Sequence, residues 1–73
     1  MKVKLIKNSI EVVNAKLVEV SFELRKGIGF WAIDMNDKYS GGDLKVAFAG
    51  TKKDCYIFIT GLEEGILLKE NIR

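Results

Sequence analysis

The side chains that carry most enzyme chemistry are scarce in this sequence. It has no histidine and a single cysteine, Cys55, which follows the basic pair Lys52 and Lys53. Neighbouring lysines can lower the pKa of a thiol and make it nucleophilic. Alternation places Cys55 on one strand face with Ile57 and Ile59, however, and this favours a buried, unreactive thiol. No serine or cysteine has an identifiable base beside it, so we expect no catalytic residues and no enzymatic activity.

A second candidate for chemistry is a group of oxygen-bearing side chains in and beside the longest polar stretch, residues 36–43. The group consists of Asp34, Asn36, Asp37 and Asp43. Carboxylates in a glycine-bearing loop can hold calcium. The spacing does not fit the known calcium loop, because Lys38 stands at its fifth position and Tyr39 where glycine is required. Asp and Asn also favour turns, so we predict no metal site and no cofactor.

The most specific recognition pattern is the basic–glycine–aromatic run at residues 26–31, Lys-Gly-Ile-Gly-Phe-Trp. It resembles the strand by which cold-shock domains stack single-stranded nucleic acid, and residues 43–48 resemble the second nucleic-acid strand of that family. Ile28 replaces an aromatic residue of the family motif, the histidine of the second motif is absent, and the intervening loop is longer. The resemblance implies rings that stack on bases and lysines that meet phosphates. The candidate binding residues are Arg25, Lys26, Phe30, Trp31, Tyr39, Lys45, Lys52 and Lys53.

The two adjacent rings of this run have a structural interpretation as well. Phe30 and Trp31 point to opposite faces of a strand, so at most one of them joins the core. On this interpretation Trp31 is a core residue and Phe30 covers one end of a barrel.

Length and charge set the class of protein. The chain has 73 residues, which is enough for one small β domain spanning residues 1–73. Its formal charge of +2, from 12 basic and 10 acidic side chains, gives no strong attraction to nucleic acid or membranes. No apolar run approaches the roughly 20 residues that span a bilayer. A lone cysteine and the lack of an export signal favour a reducing, cytoplasmic setting.

Short apolar runs separated by Gly, Asn and Asp are typical of β structure. They predict strands at residues 2–6, 16–24, 28–35, 44–49, 55–60 and 66–70. Residues 9–24 also fit a helical stripe that Ser9 could cap. The valines favour a strand for 16–24, whereas a short helix near residues 9–16 is an equally good interpretation of that part.

Five or six antiparallel strands in so short a chain must roll up to bury their edges. We therefore predict an all-β fold, either a small open barrel or a compact sandwich. Its expected core consists of Val18, Val20, Phe22, Trp31, Ile33, Val46 and Phe48.

The first functional hypothesis is a non-catalytic interaction module that binds a protein partner or assembles with itself as a small accessory or structural subunit. Hydrophobic residues make up 48% of the chain, and residues 28–35 are apolar on both faces. Such a surplus often marks an interface. An inhibitor of a larger enzyme is indistinguishable from this class by sequence. The alternative is a small barrel that binds single-stranded nucleic acid, and neither hypothesis involves a membrane.

Overall fold

The protein has a two-layer α/β fold in the computed structural model, which describes residues 2–38 and 44–71. The elements in chain order are α1 (Val3–Lys16), β1 (Val20–Lys26), β2 (Trp31–Asp37), β3 (Leu44–Gly50) and α2 (Lys52–Asn71). The strands form one antiparallel sheet in the order β1-β2-β3. Helix α1 packs on β1, α2 packs on β3 and β2, and the two helices contact each other. Both helices share one core with the sheet and so lie on the same face of it.

The predicted all-β barrel or sandwich is therefore wrong. Strands do occupy much of residues 16–24, 28–35 and 44–49, as β1, β2 and β3. Residues 2–6 belong instead to α1, and residues 55–60 and 66–70 belong to α2. The short helix considered near residues 9–16 is the second half of α1, and Ser9 is buried inside that helix rather than capping it.

Helix α1 forms because its apolar side chains recur at helical spacing. Ile6, Ile10 and Val13 stand four and three residues apart, and all three are buried on the sheet side. The lysines near its start are exposed. They alternate with apolar residues, and this alternation is the pattern that predicted a strand.

Helix α2 begins with a reciprocal cap that the strand prediction overlooked. The backbone N–H of Asp54 donates to Thr51 Oγ1 at 3.1 Å, and the N–H of Thr51 donates to Asp54 Oδ2 at 3.4 Å. This is the Thr-x-x-acid form of a capping box. Further along, Cys55 and Ile59 are fully buried, one helical turn apart. Residues 56–60 are rich in β-branched and aromatic side chains, but burial of the helical stripe outweighs their strand preference.

The core lies between the helices and the sheet, and its fully buried large side chains come from α1, β2 and α2. They are Ile6, Val13, Ile33, Cys55 and Ile59. Of the predicted core residues, Ile33 and Phe22 are buried, while Val20, Trp31 and Phe48 pack against the core from partly buried positions. Val18 and Val46 were wrongly predicted, with exposures of 79% and 57%. Val18 lies in the α1–β1 connection, and Val46 lies on the sheet face that carries no helix.

One polar side chain ties α1 to the free edge of the sheet. Asn14 Nδ2 donates to the carbonyl oxygen of Phe22 at 2.9 Å, and the Phe22 N–H donates to Asn14 Oδ1 at 2.7 Å. Since β1 is an edge strand, these backbone groups would otherwise need water or another strand. No local pattern indicates this contact, because it joins residues of two different elements, eight positions apart.

Candidate functional site

One face of the sheet carries no helix. The half of this face on β1 and the half on β3 differ in polarity. Because Phe22 and Ile33 face the helices, the residues that alternate with them face away. The pairing of the strands places Ser21, Glu23 and Arg25 along β1, Ala32, Asp34 and Asn36 along β2, and Leu44, Val46 and Ala49 along β3. The β1 half of this face is polar. The β3 half, here called the sheet-face patch (Leu44, Val46 and Ala49), is apolar and exposed.

The exposure of the sheet-face patch is large for strand residues. Leu44 is 62% exposed and Val46 is 57% exposed, whereas Asp34, which pairs with Val46, is buried. Ala47 is an extra residue in β3 at an irregularity of the β2–β3 pairing, and it packs against the core. Because of this extra residue, Val46 and Phe48 point to opposite faces of the sheet although they are two residues apart. Phe48 points toward the helices and Val46 points away from them.

The polar half of the same face is organised by an ion pair. Arg25 Nε donates to Asp34 Oδ2 at 2.8 Å, and its Nη2 donates to Oδ1 at 3.3 Å. The hydrogen bond to Asp34 and then the charge of Asp34 raise the pKa of Arg25, and desolvation opposes them without reversing the direction. The guanidinium also lies 5.9 Å from the centroid of the Phe30 ring. Arg25 is therefore held between a carboxylate and a ring, with its charge already balanced.

A shallow recess of about 330 Å³ lies at the end of the sheet, between the β1–β2 turn and the start of α2. Trp31 lies in its wall, with Lys26 Nζ 5.7 Å and Lys52 Nζ 5.6 Å from the ring centroid. Phe30 forms another wall, and its ring lies so close over Gly27 that a Cβ there would overlap it. Gly29 has φ of 77°, a conformation that side chains with a Cβ rarely adopt. This set of residues is here called the basic–aromatic recess.

The structure brings most of the predicted binding residues together. Those in or beside the basic–aromatic recess are Arg25, Lys26, Phe30, Trp31 and Lys52, with Lys53 exposed in the first turn of α2. Lys45 pairs with Met35 of β2, which is four residues from Trp31. Lys45 therefore lies at the other end of the sheet, about 13 Å from Trp31 along the strand direction. Tyr39 lies outside the described residues. Trp31 packs against the core from a partly buried position, and Phe30, which precedes β2, is 39% exposed.

The group of oxygen-bearing side chains considered for calcium lies partly outside the described residues. Asp34 is bound to Arg25, and Asp43 lies outside the described residues. Within residues 2–38 and 44–71, no three His, Cys, Asp or Glu side chains gather closely enough to hold a metal ion. Neither described helix is long and apolar enough to cross a membrane.

The environment of Cys55 makes its thiol less acidic. The side chain lies on the buried face of α2, and burial, followed by the negative charge of Asp54, raises its pKa. The thiol therefore stays protonated across the neutral range, which is the opposite of what a nucleophilic cysteine requires. Its placement on a helix also separates it from Ile57, which points outward.

No protein-family model matches the sequence, and no curated protein or solved structure matches the chain. The sheet-face patch and the basic–aromatic recess are therefore interpreted from their own geometry.

Proposed function

We propose that this protein is a non-catalytic interaction module whose partner is a protein that covers the sheet-face patch. The observation that carries the proposal is the exposure of Leu44 and Val46 on the sheet face that neither helix covers. Single exposed leucines are common on protein surfaces. Two large apolar side chains side by side on an uncovered sheet face are a stronger indication of an interface.

A site-specific crosslinking experiment tests the proposal. A photoreactive amino acid replaces Val46 in one variant and Glu11, on the exposed side of α1, in a control variant. Irradiation in cells is expected to give an adduct of defined mass from position 46 and none from position 11. The mass separates self-assembly from a different protein. Absence of an adduct at position 46, or the same adducts at both positions, would contradict the proposal.

A second candidate function, the binding of single-stranded nucleic acid, is favoured by the basic–aromatic recess alone. Two lysines from different elements flank the ring of Trp31, and Lys53 is close in sequence to one of them. Phosphates would attract these lysines away from the ring, and a base could then stack on it. The recess is open at the end of the sheet, where a strand of nucleic acid could pass.

Fluorescence of Trp31, the only tryptophan, tests this candidate. A short single-stranded oligonucleotide is expected to quench the emission, and the affinity should fall steeply with salt. Replacing both Lys26 and Lys52 with glutamine should reduce the slope of log affinity against log salt by about 1.4, since each phosphate contact contributes about 0.7. Lys45→Gln is the matched control and should leave the affinity nearly unchanged. Quenching that is absent at low salt, or equal losses in both variants, would exclude the recess as the binding site.

A further inference from the structure

We infer that single-stranded nucleic acid binds across the whole end of the molecule at which both helices begin. Lysines of α1 contact its phosphates, and the rings of the basic–aromatic recess contact its bases. This inference rests on the second candidate function above and adds to it a phosphate-binding part, contributed by α1, that lies outside the recess.

Both helices begin at the same end of the sheet. Helix α2 starts at Lys52, two residues after Gly50, which pairs with Trp31 at the beginning of β2. Helix α1 packs on β1, the next element in the chain, so it runs opposite to β1 and begins near the end of that strand. The ion pair between Lys16 and Glu70 joins the last turns of the two helices, which therefore run in the same direction.

Distances along the elements place their lysines at the same level. Asn14 of α1 is hydrogen-bonded to Phe22 of β1, which fixes the two elements relative to each other. Lys4 lies ten residues back along α1, about 15 Å, and Lys26 lies four residues further along β1, about 13 Å. Lys4 is therefore at nearly the level of Lys26, which shares the recess with Lys52.

Most of the positive charge lies at this end, here called the helix-start end (residues 2–7, 25–31 and 51–54). Asp54 is its one acidic residue. Its seven basic residues are Lys2, Lys4, Lys7, Arg25, Lys26, Lys52 and Lys53. The remaining described residues carry four basic and eight acidic side chains. The formal charge is therefore +6 at the helix-start end and −4 in the rest of the described chain.

The near-neutral total charge conceals this separation. The whole chain has a formal charge of only +2, which by itself gives no strong attraction to nucleic acid. Arg25 is paired with Asp34, but the structure shows no ion pair between the six lysines of the helix-start end and any described acidic residue. Lysines without a carboxylate partner attract phosphates and release the counterions of the strand, whatever the total charge.

The first turn of α1 increases the local positive potential. It contains no acidic residue, and its N-cap residue Lys2 forms no side-chain cap. The N-terminus of a helix carries a partial positive charge, so lysines there are unfavourable for the free protein. A phosphate beside Lys4 would be attracted by the lysine and by the helix together, and it would offset that repulsion.

The rings at this end favour single-stranded nucleic acid over other polyanions. Trp31 lies in the wall of the recess, and Phe30 and Ile28 are 39% and 99% exposed in the turn beside it. Unpaired bases can stack on such rings, whereas the bases of a duplex are already stacked on one another. An inorganic polyanion would leave these apolar groups exposed to water.

Fluorescence anisotropy of a labelled oligonucleotide of about twelve nucleotides tests this inference. The double variant Lys4→Gln/Lys7→Gln removes two charges from α1, outside the recess. It is expected to lower the affinity on the order of tenfold at about 0.1 M salt, and to reduce the slope of log affinity against log salt by about 1.4. Lys45→Gln/Lys69→Gln, at the other end of the molecule, is the matched control with the same net charge. It should leave the affinity and the slope nearly unchanged.

Thermal denaturation of the α1 variant separates loss of binding from loss of the fold. Removing lysines from the start of a helix relieves their repulsion with the helix dipole, so the midpoint should stay the same or rise slightly. Weaker binding at an unchanged or higher midpoint is a combination that misfolding does not produce.

Equal losses in both double variants would overturn the inference, because the total charge alone would then govern binding. Unchanged affinity of Lys4→Gln/Lys7→Gln, with Trp31 still quenched, would also overturn it and would leave the recess as the site. A duplex that binds as tightly as the single strand would exclude a contribution of the rings. If the oligonucleotide does not bind at low salt, the recess candidate fails too, and binding of phosphatidylserine vesicles in its place would assign this end to a membrane surface.

Discussion

Replacing Ile33 with alanine is expected to lower the thermal midpoint by roughly 10–30 °C. Ile33 is fully buried in the central strand, and its side chain belongs to the core that both helices share with the sheet. Truncation of a buried isoleucine costs about 2–5 kcal/mol, because apolar contacts are lost and a cavity remains. The total stability expected for 73 residues is only about 4–11 kcal/mol.

Thermal denaturation followed by circular dichroism measures the midpoint, and urea denaturation measures the free energy of unfolding. Ile28→Ala is the matched control. Ile28 lies in the β1–β2 turn of the same hairpin and is 99% exposed. The same substitution there should change the free energy of unfolding by less than about 0.5 kcal/mol. Similar losses at both positions would mean that Ile33 does not occupy the core.

Asn14→Asp is expected to destabilise the protein by about 1–3 kcal/mol at neutral pH and to regain part of that loss in acid. The substitution keeps the acceptor for the Phe22 N–H but places a carboxylate oxygen where Nδ2 now donates to the Phe22 carbonyl, 2.9 Å away. A protonated carboxyl group has an O–H that can donate there instead. The folded state thus binds the proton more tightly than the unfolded state and raises the pKa of the new carboxyl group.

The sign of the pH dependence follows from that raised pKa. The stability of Asn14→Asp relative to the wild type is greatest below the unfolded pKa, about 3.9, and is lost as the pH rises through the higher folded pKa. Urea denaturation of both proteins at several pH values measures the difference. Asn8→Asp, on the exposed side of the same helix, should show a difference below about 0.5 kcal/mol throughout. A difference for Asn14→Asp that does not change with pH would contradict the two-bond geometry.

The sequence predicted the strands better than the helices, for a physical reason. Strands β2 and β3 begin and end near glycines, polar turns or charges that are local signals. In α2, residues 56–60 have strand-like side chains, and the helix is stabilised by burial of Cys55 and Ile59 against residues distant in sequence. The capping box at Thr51 was the local signal that could have corrected the prediction.

The two candidate surfaces also differ in how well they could be predicted from the sequence. Most of the basic–aromatic recess comes from one hairpin, residues 25–31, so its residues could be grouped from the sequence alone. The sheet-face patch could not be predicted, because Val46 looks like a core residue until the number of covered sheet faces is known. That number depends on both helices. The prediction placed strands in both, at residues 2–6 of α1 and at residues 55–60 and 66–70 of α2, and considered only a short helix near residues 9–16.

The packing of α1 against α2 has a consequence for folding during synthesis of the chain. Lys16 and Glu70 lie 3.3 Å apart, so the first and last described elements meet across nearly the whole chain. A growing chain can form α1 and the three-stranded meander early, but Cys55 and Ile59 belong to the last helix. Until α2 has emerged from the ribosome, the apolar face of the sheet has only half its cover, and such an incomplete core is prone to aggregation.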